Sequence, residues 1–425
     1  MKFPPPAALL FSILTLLLPP LSVRAAEEVR FQAEPPAAAG DLWRDPAFAT
    51  LPPAVRGPWE AWMARSVALR EMDAKVLAAE LRKTGRKEPQ HPKKSTASLP
   101  EDKPEDWYAG TQGREIADSL LTWQLPSGGW CKNTDMASRK RRSGESWSPW
   151  ESWGYLGTID NHATVSQINY LSKVITAVGP GTRDGMRYRR GVERGLRYLL
   201  AAQMPNGGWP QVYPLQGRYH DCITFNDNAM TKVVTQLRQV AWGKLPYQFI
   251  GGDLRRQARA AVNRGIVCIL NCQIVVNGQR TGWCAQHNAL TLTPASARAF
   301  EPASISGSGE TVGILRFLMS LEQPSDAVCH SIESAVAWLR RSQLKPGQAG
   351  VAESRAKPTW ARFYEIGSNK PLFSDTDGKK RYTFRKVKKK RTSYQWFSNN
   401  PAKILDSDYP KWRSRIAGAP PGTGG

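Results

Sequence analysis

Four helical patterns in this chain each stop at a glutamine: Gln124, Gln203, Gln273 and Gln343, spaced 79, 70 and 70 residues apart. The second carries Val192, Leu196, Leu199 and Leu200, and the third Val262, Ile266, Ile269 and Leu270. Each set is the apolar stripe of one helix. Gly-Gly-Trp130, Gly-Gly-Trp209 and Gly-Trp283 follow the first three glutamines. Each tryptophan loop leads to a second helical pattern, near 164–178, 230–240 and 312–321. A long period of helix pairs requires stacking, because one pair alone cannot bury its apolar faces. Strand patterns are few and short. The expected fold is all-α, a short (α/α)3 toroid of helix pairs with long loops.

The rest of the chain divides around that repeat. Lys2, an apolar run over 7–18 and the small residues Ala25-Ala26 read as a signal peptide over 1–25, too short to span a bilayer. The expected location is therefore secreted or periplasmic, and no second apolar stretch reaches membrane length. Residues 26–58, rich in proline and alanine, read as an extended arm, and 59–84 as an amphipathic helix. A charged linker broken by Pro89, Pro92, Pro100 and Pro104 covers 85–106. The toroid is expected over 107–400, and 401–425 as a disordered tail.

Six cysteines are too few for a disulfide scaffold in 425 residues. Cys268 and Cys272 share a helical spacing, but a zinc site needs further ligands at metal spacing. The net charge is +23, and residues 379–391 hold nine lysines and arginines without an acid. Such an excess suits a polyanionic partner: nucleic acid, an anionic envelope or an acidic polysaccharide. No nucleic-acid-binding module accompanies it, which argues against the first.

Two hexamers precede the second helices of the first two units, Thr158-Ile-Asp-Asn-His-Ala163 and Thr224-Phe-Asn-Asp-Asn-Ala229. Asp160 aligns with Asn226, and Asn161 with Asp227. Helix capping accounts for one oxygen-bearing residue in each. Two adjacent ones in both hexamers also suit a hard cation such as calcium. Glu310 takes the comparable place in the third unit. Arg298 and Arg362 sit in aromatic loops, where a guanidinium grips a carboxylate on two sides while rings meet sugar faces. The Gly-Gly-Trp turns read first as packing, although Trp209, like Tyr364, is also a candidate for substrate contact. Gln-x-x-x-Gly-x-Trp repeats mark terpene-cyclase toroids too, but this chain lacks their Asp-rich protonating motif.

Over 107–400 the chain resembles the family 10 polysaccharide lyases, the pectate lyases built as a short helical toroid. The motifs that carry the resemblance are TIDNHAT (158–164), NGGWPQVYP (206–214), ITFNDNAM (223–230), ARAFEPASISGS (297–308) and WARFYEIGSNKPLFS (360–374). The resemblance implies an enzyme that cleaves polygalacturonate by calcium-assisted anti β-elimination, giving unsaturated oligogalacturonides; a monomer is expected. By position it implies Asp160, Asn161 and Asp227 as calcium ligands, Arg298 as catalytic base and Arg362 as a substrate-binding arginine. Asn226 and Glu310, at the matching places of their units, are candidate substrate contacts as well. An arginine base needs neighbouring cations, burial and alkaline pH, since a free guanidinium keeps its proton to above about pH 12. Three departures stand out: His162 where the family has glycine, the additional Gly309, and Thr376 where a loop arginine is usual. They leave open a degenerate protein that binds acidic polysaccharide without cleaving it.

Overall fold

The computed structural model describes residues 45–150, 156–352, 354, 357–388 and 391–418. The expected signal peptide lies outside them. Helices α1 (Pro46–Ala49), α2 (Pro53–Thr84) and α3 (Glu105–Ala109) precede the repeat. The repeat itself comprises α4 (Thr111–Trp123), α5 (Val165–Val178), α6 (Arg183–Ala202), α7 (Ala229–Ala241), α8 (Gly252–Asn271), α9 (Gly309–Met319) and α10 (Asp326–Arg341). Helices α5 and α6, α7 and α8, and α9 and α10 pack as pairs. Neighbours within one layer are α5, α7 and α9, and within the other α4, α6, α8 and α10. Between the layers runs one apolar core. Among the described residues no helix is long and apolar enough to cross a membrane.

The repeated residues are the joints of this stack. Gln124 donates its side-chain amide to the Gly128 carbonyl in its own turn (2.8 Å) and to Gly191 of α6 (2.9 Å). Gln203 does the same to Gly207 (3.1 Å) and Ala261 (2.9 Å), and Gln273 to Thr281 (2.8 Å) and Ser331 (3.0 Å). One amide thus satisfies a turn and ties consecutive helices of a layer together. Gly128 and Gly207 have φ of 104° and 92°, and an added Cβ would meet the carbonyls of Arg194 and Arg264. Each tryptophan then plugs the layer. Trp130, Trp209 and Trp283 donate their indole N–H to Leu120, Leu199 and Ile269 of the preceding helix, and Trp360 donates to Leu339 of α10. The fourth glutamine is different: Gln343 is exposed.

Several segment boundaries depart from the sequence expectation. Helix α2 starts at Pro53, inside the stretch expected to be an extended arm, because proline at the first helical position loses no hydrogen bond. The linker 85–106 is pinned rather than loose, by bridges from Gln90 to Glu145 and from Lys94 to Thr134. The tail expected to be disordered from 401 continues as α11 (Asn400–Lys403), a π-helical turn (Ile404–Asp408) and α12 (Tyr409–Ala417). Burial of Ile404 and Trp412 holds it down. Residues 419–425 lie outside the described part.

Helix α2 docks on the first glycine turn through Asp73, fully buried, whose Oδ1 accepts the Ser127 N–H at 2.8 Å. Its Oδ2 has no partner among the described residues. Burial pushes this carboxyl up to about 7. Folding then favours the protonated form, so the penalty is absent below pH 4, grows with pH and is complete above about 7. Asp73→Asn is expected to unfold at higher urea than the parent at pH 8, by up to about 4 kcal/mol, and to match it at pH 4. Equal midpoints at both pH values would show that Asp73 is not strained.

Candidate active site

The two hexamers adopt one conformation. Asp160–His162 and Asn226–Asn228 are single turns of tight helix whose middle residues, Asn161 and Asp227, have φ of 49° and 52°. Asparagine and aspartate enter this left-handed region at least cost among side-chain-bearing residues. His162 follows at φ 64°, a conformation in which glycine is unstrained. A backbone bridge from Thr158 to Val212, with the Thr158 hydroxyl on the Gln211 carbonyl (2.5 Å), fastens the first hexamer to the second loop. The Asn226 N–H bonds the Ala285 carbonyl (2.9 Å), beside a three-stranded sheet that joins Ile223–Thr224 to Gln286–His287 and Pro294–Ala295. Loops from three repeats are thereby sewn together.

Together they enclose a cleft of about 470 Å³ whose lining includes Asp160, Asn161, Asn226, Asp227 and Arg298. Asp160 is buried; one carboxylate oxygen pairs with the Lys132 ammonium, and Oδ1 has no partner among the described residues. Asp227 opens to the cleft, yet its carboxyl pKa is raised, first by desolvation and then by Asp160 and Glu310. Unbalanced negative charge and an orphaned carboxylate oxygen are what a bound cation relieves, so Asp160 and Asp227 fit a hard divalent ion. Among the described residues no three His, Cys, Asp or Glu converge at metal distance. The remaining ligands of such an ion must be amide oxygens, water or an incoming anion.

Arg298 differs from the sequence expectation. Rather than a ring of cations, it has Glu301: Nε donates to Oε2 at 2.6 Å and the terminal nitrogen to Oε1. Glu301 also accepts the Tyr394 hydroxyl at 2.8 Å. This pairing outweighs partial burial and raises the guanidinium pKa. Arg391 lies over the Phe300 ring at 3.8 Å and Arg298 over the same ring at 4.7 Å, so one further cation is near. Arg362 is largely buried, 3.8 Å from Glu310 and 4.5 Å from the Tyr394 ring centre. Burial works to lower its pKa, but Glu310, Tyr394, Glu301 and Asp227 raise it on balance. Glu310 also accepts the Ser306 hydroxyl, so its two oxygens are engaged in holding Arg362 and the loop.

Of the candidate substrate contacts only Asn226 lines the cleft: Arg362 stands beside it, Glu310 is buried behind Arg362, and two aromatic candidates lie in the core. Trp209 is fully buried as one of the four indole plugs. Tyr364 is buried against Trp338 and bonds the Ser342 carbonyl at 2.6 Å. Neither ring has a face free for a ligand. The cleft is lined instead by residues the motifs did not single out, notably Lys132, Trp150, Tyr219, His220 and Glu301. Lys132 follows Trp130 by two, and Glu301 follows Arg298 by three, so proximity to recognised motifs is the signal that points to them. Burial pushes His220 down to about 4, leaving it neutral near pH 7. Thr376 is exposed, with its N–H on the Asp375 carboxylate (2.7 Å), in a loop whose Ser374 hydroxyl reaches the Ala299 carbonyl (3.1 Å).

Comparison with known proteins gives the family. The model of the pectic acid lyase family, Pec_lyase, matches residues 124–405. Among solved structures the chain is similar to the family 10 polysaccharide lyase from Cellvibrio cellulosa, at 33% identity and a TM-score of 0.62 over 72% of this chain and 94% of that one. It is equally similar, at 33% identity and a TM-score of 0.61 over 72% and 95%, to an Asp-to-Ala mutant of a family 10 polysaccharide lyase from Cellvibrio cellulosa in complex with trigalacturonic acid. No curated protein matches. A family match spanning both hexamers and Arg298, on the α/α toroid of that family, means that the chain belongs to the pectic acid lyases of polysaccharide lyase family 10 and is a polysaccharide lyase.

Proposed function

We propose that this lyase is exported and cleaves polygalacturonate by anti β-elimination, with Arg298 as base and calcium held by Asp160, Asn161 and Asp227. The observation that carries the reading is the single cleft lined by both carboxylates and the arginine. The trigalacturonate complex of the Cellvibrio lyase supports an oligogalacturonate as its occupant.

Carbon 5 of a galacturonate bears a proton beside a carboxylate, and the charge makes that proton reluctant to leave. Bound calcium supplies charge neutralisation where negative charge develops. The chain's own residues do the rest. Arg362, backed by Glu310, is a largely buried cation poised for a substrate carboxylate, and Asn226 lines the approach as a polar contact. Glu301 takes the Nε edge of Arg298 and leaves the other edge for the substrate. Arg298 accepts the carbon 5 proton, the carbon 4–oxygen bond breaks, and a double bond forms between carbons 4 and 5. The departing oxygen takes its proton from solvent. Because Glu301 raises the Arg298 pKa, the neutral base is scarce near pH 7, and the rate should climb by about tenfold per pH unit into the alkaline range.

The test is incubation of purified protein with polygalacturonate at pH 9, with calcium or with a chelator, followed by ultraviolet absorbance of the conjugated product. Strong absorbance with calcium and almost none with chelator is expected. The paired state of Arg298, together with Thr376, favours a second reading, a binding protein without turnover. Saturable binding with no absorbance at any pH would select it.

A further inference from the structure

Beside the cleft lies a second cavity of about 500 Å³, in the usual size range of small-ligand sites. Lys132, Asn133 and Asn161 line both, so the two adjoin. One wall of the second cavity comes from residues 95–102, a stretch that reads in sequence as linker and ends before the family match begins at 124. This wall is fastened in place. The Ser95 N–H bonds the Asn133 carbonyl at 2.9 Å, and the Tyr108 hydroxyl is placed between the carbonyls of Pro100 (3.1 Å) and Glu101 (2.7 Å).

The two cavities differ in charge. The cleft has Arg298 and Lys132 facing its carboxylates, with Arg362 beside it. Among the residues lining the second cavity, Glu101, Asp102 and Asp135 stand against Lys132, already paired with Asp160, and His162, with Arg139 near Asp135 and Lys232 near Glu101 outside the lining. Lys173 bonds the Glu101 carbonyl, and Lys232 bonds the Asp227 carbonyl and His162 Nε2 (2.8 Å), so both stand behind the wall and neither itself lines the cavity. A uronate there would add a fourth carboxylate to three. Hydroxyl and amide groups, among them Ser95, Thr96, Ser98 and Gln167, make up much of the remaining lining, and these recognise sugar hydroxyls without requiring charge.

We infer that this cavity is a subsite for an uncharged saccharide unit, a neutral sugar or a methyl-esterified uronate, adjoining the charged unit in the cleft. The inference rests on the lyase reading above and deepens it: the preferred polymer is one whose charged units alternate with neutralised ones. The segment 95–102 is then a specificity element lying outside the stretch that the family model matches.

The experiment compares kcat/KM on fully de-esterified polygalacturonate and on pectin about half methyl-esterified, at low ionic strength, by ultraviolet product formation. The wild-type full chain is expected to prefer the esterified polymer. The double variant Glu101→Lys/Asp102→Lys should lower the esterified-to-de-esterified ratio by about tenfold, an effect that shrinks with added salt. Ser98→Trp, at an exposed position on the wall, should slow both polymers by obstructing the subsite while sparing trigalacturonate. An unmoved ratio in the double variant, with wild-type activity intact, overturns the inference alone. A wild-type chain inert on both polymers overturns the lyase reading and the inference with it.

Discussion

Arg298→Ala is expected to lower kcat on polygalacturonate by about a thousandfold, with KM changed less than about threefold. A positioned general base contributes roughly two to four orders of magnitude, and this variant removes it while leaving Arg362 to hold substrate. Loss of the guanidinium also leaves Glu301, a buried carboxylate, with the Tyr394 hydroxyl but without that cation, so folding must be checked by an unchanged thermal midpoint. Arg298→Lys is the companion: lysine loses its proton at lower pH than arginine. If Arg298 is the base, the lysine variant should retain some activity and its pH profile should move to lower pH. Turnover near the wild-type level in the alanine variant sinks the assignment. An unshifted profile in the lysine variant reduces Arg298 to a binding residue.

The second large effect concerns the cation. Calcium at about one hundred times its dissociation constant should stabilise the folded chain by about 2.7 kcal/mol, which for a protein of this size is about 3 °C in thermal midpoint. Asp160→Ala removes the buried carboxylate whose Oδ1 lacks a partner among the described residues, and Asp227→Ala removes the one whose pKa is raised by desolvation and by its acidic neighbours. Each should abolish the calcium-induced shift and reduce product formation by orders of magnitude. Asp160→Ala also removes the carboxylate that pairs with Lys132, so the comparison is between midpoints with and without calcium within each variant. The shift is independent of turnover and so reports on the ion alone. A full shift surviving in both variants would place the cation elsewhere.

The helix pairs were legible because a buried stripe must recur at the helical period, and the Gln and Gly-Trp joints recur with it. Helices α5, α7 and α9 fall within three residues of the boundaries expected from that pattern. The site was legible in part. Asp160, Asn161, Asn226, Asp227 and Arg298 do share one cleft, because the loops that carry them start from equivalent points of the repeat. Trp209 and Tyr364 were misjudged for a physical reason: an aromatic residue in a polar loop looks the same in sequence whether it plugs a core or faces a ligand. Residues 401–417 were misjudged as well, since a short helix that survives only by burying Ile404 and Trp412 leaves little periodic trace.

The sequence by itself determined the repeat, the class of fold and the chemical types gathered at the loop ends, since these follow from local periodicity and from what each side chain can do. Which residues stand next to which was decided only by the tertiary structure. Glu301 raising rather than lowering the Arg298 pKa, Lys132 answering Asp160, and residues 95–102 walling a second cavity all depend on distances set by the packing of segments far apart in the chain. Electrostatic energy falls with separation in space, and separation along the chain does not measure it.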